Sequence, residues 1–468
     1  MSPGGGSGNQ GANRDRSNPS TDRSRGNTDA NRSRGNPSTG KIDAIVVGGG
    51  PAGLSAAYTL ADGGASVVVI ERGDWPGSKN MMGGLIFSRP TSRVVPDFWK
   101  EAPLERHINR REIWLATGDS VLKAAYESTD FGAEPYNSFS VFRSRFDKWL
   151  AAQASAKGAV IITETLVEDL LWDGGRVTGV HTGRPEGDLE AGVVILAEGV
   201  NPFLAEKAGL SQGVKPEAVA VAVKEVLALP REKIEDRFNL DTDSGAAFEV
   251  VGEITGGFTG TGFIYTNRDT VSIGVGVILK DMVDRAGSVY SLLERFKGQP
   301  QVRRLIDGAG RREYSAHLIP EGGYRGMPKL YGDGVLVAGD AAGMVNAVFS
   351  EGANLALLSG MMAAETVLRA RQYGDYSREA LSYYGELIGR SIIMKDLKTF
   401  EGMAPLLSSH RHFFSLYPEL ASAAVKEMLT VDSLSKADKM HLITKLIRSQ
   451  RPTRKFLKDI YDGWRAIS

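Results

Sequence analysis

Gly48, Gly50 and Gly53 fit the spacing G-x-G-x-x-G, and Glu71 follows where the next apolar run ends. Those residue types could hold a dinucleotide. Gly48 permits a tight turn, Gly50 lets the backbone approach a pyrophosphate, and Gly53 lets a helix pack close to a strand. Pro51 and Ala52 fall at the helix start, whose free N–H groups and partial positive charge suit phosphates. Glu71, with Arg72 beside it, stands where a carboxylate accepts from ribose hydroxyls. A second set lies far downstream in GVLVAGDAAG, Gly334 to Gly343. There Gly339 and Asp340 close a buried strand, and an aspartate in that place can bond a polyol hydroxyl. Gly352, Ala353 and Asn354 at the next helix start could face the pyrimidine edge of a flavin. The plainer role for Asp340 is a helix N-cap. Two further corners have the same character. Ala197, Glu198 and Gly199 end the apolar run Gly192 to Gly199, and Met82, Gly83 and Gly84 form a loop that could lie against a ring or be a surface turn.

These groups need elements to position them. Ile42 to Val47 and Ala65 to Ile70 are apolar runs suited to strands buried on both faces, with an alanine-rich, proline-free stretch between them. Arg143 to Gly158 keeps helical spacing in Phe146, Trp149 and Leu150. Strands are predicted at 160–162, 165–171 (which includes Val167) and 176–182. The segment 216–325 changes to a β-rich, glycine- and aromatic-containing region, read as an inserted substrate domain. Phe258, Phe263 and Tyr265 could line a flat apolar site within it, although hydrophobic core is the plainer role. From about residue 396 the chain is helical and more basic. Lys445, Arg448, Arg451, Arg454, Lys455 and Lys458 are expected to form one face, either simply solvated or a docking surface for an acidic partner or anionic lipid.

The chain has 468 residues, a formal net charge of zero and no cysteine. That length allows two or three domains, and the balanced charge gives no field steering it to nucleic acid. Without cysteine there are no disulfides, thiolate nucleophiles or Cys-held iron–sulfur clusters on this chain. No apolar run reaches membrane-spanning length and no apolar leader is visible, so the expected location is cytoplasmic. Residues 1–40 repeat RSRGN and NPST and carry almost nothing apolar, so a disordered tail is expected.

Taken together, VVGGGPAGLSAAYTLADGGASVVVIERG, KNMMGG, FRSRFDKWLAAQA, LAEGVNP, GFIYTNRDTVSIGVGV and LVAGDAAG with EGAN resemble FixC and the electron-transfer flavoprotein–quinone oxidoreductases. The resemblance covers about residues 41–468. It implies an α/β fold of the glutathione-reductase type: a FAD-binding Rossmann domain in two pieces, 41–215 and 326–395, a β-rich insert at 216–325 and a helical region at 396–468. It implies noncovalent FAD, with Gly48, Gly50 and Gly53 on the pyrophosphate, Glu71 on the adenosine ribose and Arg143 on the diphosphate. Ala197 and Gly199 would lie by the adenosine half, Asp340 on the ribityl chain, Gly352 and Asn354 at the flavin edge, and Met82, Gly83 and Gly84 over the ring. Single-chain quinone oxidoreductases of the family carry a cysteine-held cluster that this chain lacks. The resemblance therefore implies a split form that works with electron-transfer flavoprotein subunits and a ferredoxin-like iron–sulfur subunit, can bifurcate electrons, and delivers them to menaquinone or ubiquinone at the inner face of the cell membrane. His317 and Tyr265 are candidate quinone contacts. Two alternatives stay open: a geranylgeranyl reductase-type enzyme acting on isoprenoid double bonds, whose aromatic-Trp-aromatic-Pro signature is not found near Tyr265, and a non-catalytic binding module on the same fold.

Overall fold

The structure is a computed structural model that describes residues 41–79 and 84–467; the expected tail 1–40 and the loop residues Met82 and Gly83 lie outside the described residues. Two sheets carry the described chain. In the first, the strands run in the order Tyr331–Gly332, Val335–Val337, Asp188–Leu196, Ile42–Val47, Val67–Ile70, Val160–Ile162. The four pairings from Val335–Val337 across to Val160–Ile162 are parallel. The hairpin Val167–Asp173 with Arg176–Thr182 extends from the start of Asp188–Leu196. Val193, Val194, Ile195, Ala44, Ile45 and Val46 are fully buried, as unbroken apolar runs in a sheet covered on both faces must be. Helix Pro51–Asp62 packs on this sheet between Arg143–Ala156 and the long helix Ala353–Tyr373.

The second sheet has nine strands. Gly310–Pro320, Val219–Ala228, Thr270–Ile278, Gly260–Thr266 and Ser244–Gly252 follow one another, and then come Leu104–Ala116, Ser138–Val141 and Leu85–Phe87, with Val121–Glu127 on Leu104–Ala116. Here the division expected from sequence needs correcting. Four strands between residues 85 and 141 belong to the second sheet, not to the nucleotide-binding half. The reason is a long-range parallel pairing of Leu104–Ala116 with Ser244–Gly252, which local alternation cannot reveal. Buried Arg106 ties the two stretches together, donating to the carbonyls of Ser244, Asn267 and Arg268 at 2.7–3.1 Å. The sheet's other face holds a core of its own around Phe248, Ile264, Ile273 and Phe296.

The C-terminal helices Met403–Ser409, Leu416–Leu429, Lys436–Gln450 and Thr453–Arg465 complete the chain. They do not present the single basic face expected. Arg451 turns inward and forks onto Asp459 at 2.7 Å on both oxygens, and Lys458 pairs with Asp462. Asp459 also accepts from Tyr417 at 2.5 Å and lies 3.0 Å from the His412 ring. No helix among the described residues is long and apolar enough to cross a membrane.

Candidate functional site

The glycine turn after the first strand is set by backbone contacts. Gly48 has φ +106°, and a Cβ there would stand 2.3 Å from the Ala197 carbonyl oxygen. A Cβ on Gly53 would stand 2.0 Å from the Gly48 carbonyl oxygen. Only hydrogen fits at either position. Helix Pro51–Asp62 begins at Gly50 with proline first and no side-chain cap, so its leading N–H groups remain for a ligand. Glu71 holds the turn from the side: its carboxylate accepts from Gly49 N–H at 2.7 Å and Gly73 N–H at 2.6 Å. Each oxygen keeps a lone pair that a ribose hydroxyl could use.

The second glycine corner meets the first. A Cβ on Gly339 would stand 2.8 Å from the Ala52 Cβ, and one on Gly360 would stand 2.0 Å from the Ala52 carbonyl oxygen. Ser55 Oγ donates to the Leu357 carbonyl at 2.6 Å, locking helices Pro51–Asp62 and Ala353–Tyr373 together. Both corners open on one cleft of about 680 Å³, within the usual range for ligand pockets. Asp340 lies in its wall, and among the described residues its carboxyl has no hydrogen-bond or ion-pair partner. Burial pushes that carboxyl up, and the nearby Arg143 guanidinium draws it back. Burial works against the Arg143 charge, but Asp147, at 2.8 and 2.9 Å, outweighs it and holds the proton. The remaining N–H groups of that fork are left for a phosphate. Helix Ala353–Tyr373 starts at Gly352, again with no side-chain cap. Asn354 donates to Glu351 at 3.0 Å, while its Oδ1 is buried with no partner among the described residues.

These features fit FAD: two helix starts with free N–H groups, a cradle in which a Cβ would collide, an unpartnered acid and an orphaned amide oxygen. Arg72, Gly84, Val167, Ala197, Gly199 and Ala353 line the same cleft. Glu198 lines it too, and its side chain also holds a helix start. Both oxygens accept from Leu204 N–H and Ala205 N–H at 2.9 Å, capping the short helix Phe203–Lys207.

The aromatic candidates separate. Phe263 and Tyr265 line the cleft, stacked at 4.8 Å between ring centroids. Burial pushes the Tyr265 phenol up, so it keeps its proton. Phe258 does not reach the cleft; it packs in the core of the second sheet with the Arg285 guanidinium 4.0 Å over its ring. Alternation decides this: Phe263 and Tyr265 share one face of Gly260–Thr266, while Phe258 precedes that strand. His317 does line the cleft, and burial, then the charges of Arg143 and Arg72, lower its basicity. Three features escaped the sequence reading. Glu321 and the amide of Asn346 sit in the wall, the latter with its Oδ1 buried and without a partner among the described residues. The helical side contributes Leu397, Phe400, Met403, Ala404, Leu407 and Phe414. A two-residue period in His317, Ile319 and Glu321 was the available signal for the first.

Comparison with known proteins agrees with this geometry. Residues 43–211 match the family described as FAD dependent oxidoreductase, and residues 403–468 match the ETF-QO/FixC family C-terminal domain. Protein FixC of Bradyrhizobium diazoefficiens is 42% identical over 429 residues, covering 91% of this chain and 99% of that one. Protein FixC of Azotobacter vinelandii is 42% identical over 428 residues, with the same coverage. Among solved structures, a geranylgeranyl bacteriochlorophyll reductase-like protein of Thermoplasma acidophilum superposes with TM-score 0.67 at 20% identity, covering 91% of this chain and 99% of that one. The halogenase CndH superposes with TM-score 0.58 at 18% identity, covering 88% of this chain and 90% of that one. Those two likenesses establish the fold, and the identities above establish the kinship: the chain belongs to the FixC family of FAD-dependent oxidoreductases.

Proposed function

We propose that this chain passes electrons from electron-transfer flavoprotein subunits and a ferredoxin-like iron–sulfur subunit to a membrane quinone. The observation that carries the reading is the apolar wall opposite the dinucleotide corners. Leu397, Phe400, Met403, Ala404, Leu407 and Phe414 come from the helical region, and Phe263 and Tyr265 come from the sheet. A wall of that kind suits an isoprenoid-tailed ring and excludes water from it. The helix Thr453–Arg465 supports a membrane-surface location. Leu457, Ile460, Tyr461 and Trp464 repeat at helical spacing and are each more than half exposed, beside basic Arg454, Lys455 and Lys458. The absence of cysteine supports an iron–sulfur partner.

Bound FAD supplies the two-electron redox chemistry. The chain's own part is to hold and shield. The helix start at Gly50 and the Arg143 guanidinium bind the diphosphate, Asp340 accepts from ribityl hydroxyls, and the helix start at Gly352 with Asn354 orients the pyrimidine edge. Tyr265, protonated and without a described hydrogen-bond partner, can donate to a substrate carbonyl.

The test is steady-state reduction of a soluble quinone by the chain purified with its partners, beside saturation of a geranylgeranyl lipid. Quinone reduction without lipid saturation is expected; the reverse result would move the assignment to isoprenoid reduction. Cofactor analysis of the purified complex should find FAD here and the clusters on the partner.

A further inference from the structure

One wall of the cleft is built from alternate residues of a single strand and its continuation. His317, Ile319 and Glu321 all line the cleft, as a two-residue period requires. The backbone pins Glu321 in place, its N–H donating to the Ala218 carbonyl at 2.8 Å. Its carboxyl differs from three other acids of the cleft, and from Asp340, whose charge the nearby Arg143 favours, in having no cation among the described residues acting on it. Glu71 is held by two N–H groups, Glu198 caps a helix, and Glu249 pairs with Arg111 at 3.1 Å. Among the described residues Glu321 has no side-chain hydrogen-bond or ion-pair partner. The charged groups on the elements around it are otherwise placed. Glu217 lies in the turn Pro216–Ala218. Lys398 stands 5.4 Å over the Tyr324 ring, and Glu401 lies 3.6 Å from Arg325. Asp340 and Arg143 lie elsewhere in the cleft wall, and His317 lies on Glu321's own strand.

We propose that Glu321 is the proton donor to the substrate reduced in this cleft. The assignment rests on the quinone reading above. In the step, the quinone takes two electrons and one proton from the anionic reduced flavin and one proton from the Glu321 carboxylic acid. The products are quinol, oxidised flavin and the Glu321 carboxylate, which regains its proton from solvent. Burial alone pushes the Glu321 carboxyl up to about 8, so the acid is loaded at neutral pH and empties as the pH rises past that value.

The experiment uses the full chain with its partners and compares a soluble quinone with ferricenium, an acceptor that takes up no proton. In Glu321→Gln the ratio of quinone to ferricenium rate should fall about a hundredfold, the scale of general acid catalysis. The decline of the quinone rate above pH 8 should vanish, and Glu321→Asp should restore part of the ratio. An infrared titration of the complex should show a carboxylic acid band in the wild type that disappears through the same pH range and is missing in Glu321→Gln. If that variant does not hold FAD, Glu321→Asp serves alone, with a displaced alkaline limb and a displaced band expected. An unchanged ratio, or a band that persists in Glu321→Gln, overturns the role of Glu321 while leaving quinone reduction standing. A wild-type complex that reduces ferricenium but no quinone overturns both.

Discussion

The two sides of the cleft are made of different material. On one side, Gly48, Gly53 and Gly339 bring main chain against main chain or against a methyl group, at separations that leave no space for a side chain. On the other side, Phe263, Tyr265, His317, Glu321 and the helical apolar residues present side chains. The difference fits what each side is proposed to recognise. A diphosphate is the same in every turnover and is met by N–H groups and helix dipoles, which need close approach. A substrate is distinguished by shape, polarity and proton demand, which only side chains supply. The first side is therefore rigid and intolerant, and the second is adjustable.

Substitutions can break or sharpen that contrast. The largest effect is expected for Gly53→Ala, whose new methyl would overlap the Gly48 carbonyl. Overpacking typically costs about 1–3 kcal/mol and more where, as here, the obstacle is fixed main chain. The protein should be purified colourless or insoluble, which absorption in the flavin bands would check.

The helical region that supplies part of the adjustable side has a polar anchor of its own: Asp459 holds Arg451, Tyr417 and His412, and the last two rings pack on Phe413. Asp459→Ala should cost about 3 kcal/mol by leaving Arg451 unpaired in a partly buried place, read as a fall in Tm. Burial raises this carboxyl, but the bonds from Arg451, Tyr417 and His412 outweigh it and hold it well below the usual carboxylate range. Its stabilisation is therefore complete above about pH 4, the unfolded value, and is lost as the pH falls below that. In the variant the acid limb of Tm against pH should flatten.

Asp340→Ala removes an acceptor without touching the main chain. Loss of its hydrogen bonds should weaken FAD about ten- to a hundredfold, measured by flavin fluorescence, with the fold intact.

The smallest effects separate two aromatic residues that look alike in sequence. Phe263→Leu should raise KM for quinone about five- to tenfold, the low end of the roughly 1–3 kcal/mol a methylene-scale change in a pocket is worth, with little change in Tm. Phe258→Leu should lower stability by about 1 kcal/mol and leave the kinetics alone. If the two behaved identically, the division between cleft wall and core would be wrong.

The glycine corners were legible because their cause is local. A strand, a turn requiring glycine and a helix start occupy adjacent residues, so the motif carries its own geometry, and the helix at 143–156 and the strands at 219–228 and 270–278 follow from periodicity alone. The helix-capping role of the Glu198 side chain was not legible because Leu204 and Ala205 sit in a short helix that periodicity does not mark. Glu321 was hard to see because its two-residue period with His317 and Ile319 runs past the strand end at Pro320 into a glycine-rich turn, and Arg451 because its neighbours share the helical spacing of a solvated face.

By itself, the order of residues pointed to FAD, marked two glycine-rich corners that could hold it, and placed no cysteine on this chain. Those conclusions depend on residue types whose chemistry holds wherever they sit. Tertiary structure alone decided that strands from residues 85–141 cross to the second sheet, that Phe263 but not Phe258 reaches the cleft, and that Glu321 stands in the cleft wall beside His317 and Ile319. Each of these depends on which distant segments meet, and the free energy of such pairings is shared over the whole core and not written in any short window of sequence.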